Sequence, residues 1–120
     1  MECLSGMNMY YICIQIKVYM LIYNTTYQMD VNEARNFVIY ISEQFIPATK
    51  EQGDLKKPSL SRILSHKDPE TECFSLQFEV ESTARLHHWL IHQGNQLNAD
   101  LEKLFQNRIH SFSTLMEVII

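Results

Sequence analysis

Cys73-Phe-Ser-Leu-Gln-Phe-Glu-Val-Glu-Ser82 is the stretch whose reading decides the fold. Phe74, Leu76, Phe78 and Val80 alternate with Ser75, Gln77, Glu79 and Glu81, and a pleated strand sends alternate side chains to opposite faces. One face is therefore core and the other polar. A strand with two aromatics and neither Gly nor Pro belongs in the middle of a sheet packed on helices.

Working outward, Leu21 to Met29 alternates in the same way. Leu21, Tyr23, Thr25, Tyr27 and Met29 share one face, and Ile22, Asn24, Thr26 and Gln28 share a largely polar second face. Asp30 fits an N-cap, with Glu33 at capping-box spacing. Ala34, Phe37, Val38, Ile41 and Phe45 then form the stripe of an amphipathic helix that Pro47 is expected to end. Thr49 to Pro58, with Gly53 and three lysines, reads as a surface loop, and Ser59 to Ser65 as a second strand. His66-Lys-Asp-Pro-Glu70 supplies turn residues into the central stretch, which makes the second and third strands antiparallel neighbours.

Downstream, Ser82 caps a second helix with a buried stripe of Leu86, Trp89 and Leu90. Gly94-Asn95 predicts a kink or short break, after which Leu97, Leu101, Leu104 and Phe105 resume the period. Phe112, Thr114, Met116, Val118 and Ile120 define one face of a last strand within Ile109 to Ile120. The order β-α-β-β-α-β, with right-handed crossovers, gives an α+β ferredoxin-like plan: a four-stranded antiparallel sheet with two helices on one face. Strands one and three are central.

The 120 residues fit one domain and bury a core without staples. Fourteen acidic against ten basic residues give no electrostatic footprint for nucleic acid or anionic lipid. Cys3, Cys13 and Cys73 form no CxxC pair, and an odd count suits a reducing compartment, so a cytoplasmic protein is expected. Residues 1–19 are rich in Met, Tyr and Ile and differ in style from the rest. A secretory signal would need a basic start and a small-residue cleavage site. A membrane span would need about 20 residues with few polar interruptions, against which Gln15 and Lys17 count. The favoured reading is an extension outside the fold, with Met20 as the true start and the domain at 20–120.

Ile22-Tyr-Asn-Thr-Thr26, Ile46-Pro47, Ser61-Arg-Ile-Leu64, Phe74-Ser-Leu-Gln-Phe78 leading to Glu81-Ser82, and Phe112-Ser-Thr114 resemble a family of short bacterial proteins catalogued only as a domain of unknown function. The resemblance runs from Met20 to the C-terminus in order and with similar spacings. It implies a start at Met20 and no particular activity. Where relatives often carry His before the Ile-Pro pair and tryptophans in the first helix, this chain has Phe45, Phe37 and Tyr40.

The candidate site is the sheet face turned away from the helices. Asn24, Thr26, Gln28, Gln77 and Glu79 are expected to point the same way, joined by Arg62 and Ser113. Such a face is commonly covered by dimerisation, which can enclose a small ligand. Arg62 could pair with an anionic group that Asn24 and Gln77 orient. The plainer reading is a solvated sheet face or a polar dimer seam.

His88 and His92, four apart on a helix with His87 adjacent, could chelate a metal, but the sequence offers no third ligand, and exposed, unliganded imidazoles are the expectation. His66 and His110 read as loop or edge residues. Cys73 has no neighbour that would lower its thiol pKa, no serine sits in a GxSxG turn, and the three glycines are isolated. Tyr23, Tyr27 and Trp89 read as core or seam aromatics.

The expected function is a non-catalytic dimeric binding or interaction module that uses its open sheet face, with itself as partner and a small-molecule ligand as an option. No cofactor, nucleic acid or membrane is expected. The alternative, by fold analogy, is a dimeric α+β-barrel enzyme or ligand sensor with a cavity between the sheets. A metal-binding protein using His88 and His92 is a third reading.

Overall fold

The computed structural model describes residues 20–66 and 68–120, so the expectations for residues 1–19 lie outside the described residues. Strand β1 (Leu21–Asp30) leads into a short 3-10 turn (Val31–Glu33). A first helical rod follows as α1 (Ala34–Tyr40), a π turn (Ile41–Phe45) and α2 (Ile46–Gln52). Strands β2 (Leu55–Ile63) and β3 (Thr71–Val80) come next. The second rod is α3 (Thr83–Trp89), a π turn (Leu90–Gly94) and α4 (Asn95–Leu104), and β4 (His110–Glu117) closes the fold.

The sheet order is β2-β3-β1-β4, with all three pairings antiparallel. This is the ferredoxin-like arrangement, with β1 and β3 central, as their regular alternation requires. Tyr23 stands opposite Phe78, Tyr27 opposite Phe74, and Asn24 opposite Gln77. The apolar side of these strands forms one core with Phe37, Ile41 and Phe45 of the first rod and Leu86, Trp89 and Leu101 of the second. Phe37 is wholly buried, with its ring 4.8 Å from that of Tyr27 and 5.4 Å from that of Phe74. Both rods thus cover the same face.

Several boundaries differ from the sequence expectation, each for a local reason. The first helix does not end at Pro47. Proline lacks an N–H and crowds the carbonyl four residues back, and the turn before it is widened so that the Ile46 N–H reaches the Ile41 carbonyl. Helix then continues to Gln52, where Gly53, at φ 85°, donates to Thr49 and turns the chain. The expected loop from Thr49 is therefore half helix, and β2 begins earlier, at Leu55, with a bulge between Lys56 and Ser59.

The second rod widens in the same way, Asn95 N–H reaching Leu90, and stays helical through Gly94. Ser82 accepts from the Arg85 N–H as a cap should. Asp30 caps Asn32, but Glu33 does not close a box, since its carboxylate accepts from Arg108 at 2.8 Å. Leu104, counted in the apolar stripe, is exposed, while Phe105 is buried.

Candidate functional site

The period-2 geometry of β1 and β3 puts Asn24, Thr26 and Gln28 on the same side as Cys73, Ser75, Gln77 and Glu79, away from the helices. Asn24 and Gln77 are direct partners across the central pair. Asn24 is nearly buried even though no element among the described residues lies over it, because its neighbours fold onto it. Its Oδ1 accepts from the Ser75 hydroxyl, and its amide donates to Thr26 Oγ1 at 3.2 Å. At one rim, Lys57 lies 3.6 Å from Glu79. At the other, β4 adds Phe112 opposite Thr26, Thr114 opposite Asn24, and Met116 opposite Ile22. The face is therefore polar along the two central strands, and apolar at Ile22 of β1 and at Phe112 and Met116 of β4. Phe112 is 65% exposed and Met116 39%.

Two predicted members lie on the other side of the sheet. Arg62 is opposite Phe74, a core residue, so it shares the helix side. Its guanidinium lies 5.2 Å from the Phe74 ring centroid, its Nε donates to Glu72 at 3.1 Å, and it lines a groove with Val31, Arg35 and Val38 of the first rod. Ser113 is opposite Thr25 and also faces the helices. It accepts from the Tyr23 hydroxyl at 3.2 Å and shares a 2.9 Å hydrogen bond with Thr25. Neither reaches Asn24 or Gln77. The open face thus lacks the arginine expected to meet an anion.

Sequence reasoning missed Asp54. It sits between Gly53 and β2, is 4% exposed, and is held by side chains from α3. His88 Nδ1 lies 2.8 Å from Oδ2, and Arg85 donates to Oδ1 at 3.3 Å. Burial pushes the Asp54 carboxyl up. The hydrogen bond and charge of His88, with Gln52 and Arg85, outweigh it and hold the group below the ordinary carboxylate range. No local sequence signal marks it, because its partners Arg85 and His88 lie 31 and 34 residues further along the chain.

The His88 and His92 rings lie side by side, with centroids 4.1 Å apart. Among the described residues, no group of three or more His, Cys, Asp and Glu is placed to hold a metal ion. Burial, and then Glu72, push the Cys73 thiol up, away from a reactive thiolate. Tyr23, Tyr27 and Trp89 all belong to the core. No helix among the described residues is long and apolar enough to cross a membrane.

A family model described as a domain of unknown function (DUF4286) matches residues 20–119. No curated protein matches the chain. Among solved structures, a dimeric ferredoxin-like protein from an uncultured marine organism is similar at 14% identity and a TM-score of 0.62, over 85% of this chain and 97% of that one. A Bacillus cereus protein provisionally named an antibiotic biosynthesis monooxygenase is similar at 15% identity and a TM-score of 0.58, over 83% of this chain and 93% of that one. At these identities the likeness is one of fold.

Proposed function

The chain belongs to the DUF4286 family, and from that premise we propose that it is a non-catalytic module that self-associates through the open face of its sheet. The observation that carries this reading is the apolar margin of that face. Phe112 and Met116 project from β4, opposite Thr26 and Ile22 of β1, on the side of the sheet opposite the helices. Exposed apolar side chains grouped on one face mark an association surface, whereas single ones need no explanation. A second copy brought face to face would cover them and enclose the polar centre at Asn24, Ser75 and Gln77. The dimeric character of the ferredoxin-like neighbour supports the same reading.

A second reading, a small ligand held in the seam, is favoured by that polar centre. Asn24, Thr26 and Ser75 already form a hydrogen-bonded set, and with Gln77 they offer amide and hydroxyl groups to a neutral polar molecule. Native mass spectrometry of the full chain tests both. A dimer that becomes a monomer in Phe112→Glu, with unchanged circular dichroism, supports self-association, and an additional mass retained only by the dimer supports the ligand. A wild-type chain that stays monomeric at its highest soluble concentration overturns the proposal.

A further inference from the structure

Residues four apart on a helix are neighbours on its surface, and His88 and His92 meet that condition with their ring planes inclined by 45°. The π turn Leu90–Gly94 begins two residues after His88 and contains His92. A turn closed at i+5 rotates the chain less per residue than an α turn, so residue 92 comes round more nearly over residue 88. Both imidazoles are open to solvent, with 47% of the His88 side chain exposed.

Asp54 adds what the helix alone lacks. Arg85 Nη1 already donates to the Asp54 carboxylate at 3.3 Å, and a carboxylate accepts, so the 2.8 Å contact places the proton on His88 Nδ1. In the neutral ring the lone pair is then on Nε2, on the far side from the buried carboxylate. Carboxylate to Nδ1 with Nε2 free is the arrangement that fixes tautomer and orientation in metal-ligating histidines. The neighbouring cation, Arg85, is itself balanced by Asp54 at 3.3 Å and Glu81 at 3.7 Å, which limits its repulsion of a metal.

We infer that His88 Nε2 and the His92 ring form a two-imidazole site for a divalent transition-metal ion of the Zn2+ class, with Asp54 as its positioning residue and water filling the remaining positions. Nitrogen ligands favour such ions over Mg2+ and Ca2+, which take oxygen. The site lies on a helical rod, on the opposite side of the sheet from the open face, and does not depend on self-association.

Calorimetric titration of the tag-free full chain with ZnCl2 tests this, with MgCl2 as control and imidazole NMR resonances as a second readout. One Zn2+ per chain is expected, with the His88 and His92 resonances shifting together and no response to Mg2+. His92→Asn changes an exposed side chain, so it should keep the wild-type melting temperature while weakening binding at least about tenfold. Asp54→Asn should weaken it by about ten- to a hundredfold. With circular dichroism unchanged, the metal-free variant should also lose the single His88 Nδ1–H tautomer, read from the imidazole nitrogen resonances, because an Asn side chain can donate as well as accept. If Asp54→Asn does not fold, His92→Asn and Cys73→Ser decide. The inference is overturned if Zn2+ does not bind, if binding survives His92→Asn, or if Cys73→Ser removes it.

Discussion

The indole of Trp89 lies directly on Gly94: a β-carbon built on Gly94 would come within 2.5 Å of Cζ3 and 2.6 Å of Cε3. Gly94 has an ordinary helical φ of −61°, so it is the space, and not the backbone conformation, that requires glycine here. Trp89 is 1% exposed and fixed by its Nε1–H to Gln93 at 2.8 Å, so the ring has little freedom to withdraw.

Gly94→Ala should therefore destabilise the protein, although alanine is the better helix former. Overfilling a packed core costs about 1–3 kcal/mol, while the helical preference of Ala over Gly returns up to about 1 kcal/mol. A net loss of up to about 2 kcal/mol is expected in denaturant unfolding. An equal or higher midpoint would mean that the Trp89 ring is not seated on Gly94.

Gln93 joins the two helical rods. Its Oε1 accepts from Trp89, and its Nε2 donates to the Ala48 carbonyl of α2 at 2.8 Å. Gln93→Met keeps the length and leaves the indole N–H without an acceptor. A buried donor left unsatisfied costs about 1–3 kcal/mol, so the variant should unfold at lower denaturant with an unchanged slope. No change in midpoint would show that water replaces the glutamine.

Truncation on the two sides of the sheet should act on different properties. Phe78, 2% exposed, points into the core, and Phe112 points out from β4. Phe78→Ala should cost about 3–5 kcal/mol, while Phe112→Ala should alter the stability of the single chain by under about 0.5 kcal/mol and act on association instead. Chemical denaturation at low protein concentration measures the first effect, and mass determination at high concentration the second. Similar small losses at both positions would contradict the assignment of Phe78 to the core.

The fold was legible because β1 and β3 are each buried on one face and wetter on the other, so a period of two states which side is core. The same logic failed at the edges. On β2, Ser59 and Ser61 face one way and Leu60 and Arg62 the other, so polarity marks neither face, and the bulge after Lys56 resets the register. On β4 every residue is exposed, and apolar side chains lie on both faces, Phe112 and Met116 on one and Leu115 on the other. Arg62 and Ser113 were therefore assignable only from the pairing. Pro47 misled because a π turn, which has no sequence period of its own, lets helix run through it. Asp54 meets His88 across 34 residues, and nothing local announces such a contact.

That contact predicts an acid limb in the stability profile. The folded Asp54 carboxyl lies below its ordinary value, since His88, Gln52 and Arg85 outweigh the upward push of burial. As pH falls, the unfolded chain takes up this proton first, at about pH 3.9. The stabilisation is thus complete above that value and lost progressively as pH falls toward the lower folded one. His88→Gln removes the largest of the groups that lower the folded pKa, so below about pH 4 its stability should fall less steeply than that of the wild type. Denaturant midpoints measured from neutral pH downward give both curves. Parallel curves would mean that the Asp54–His88 hydrogen bond does not couple protonation to folding.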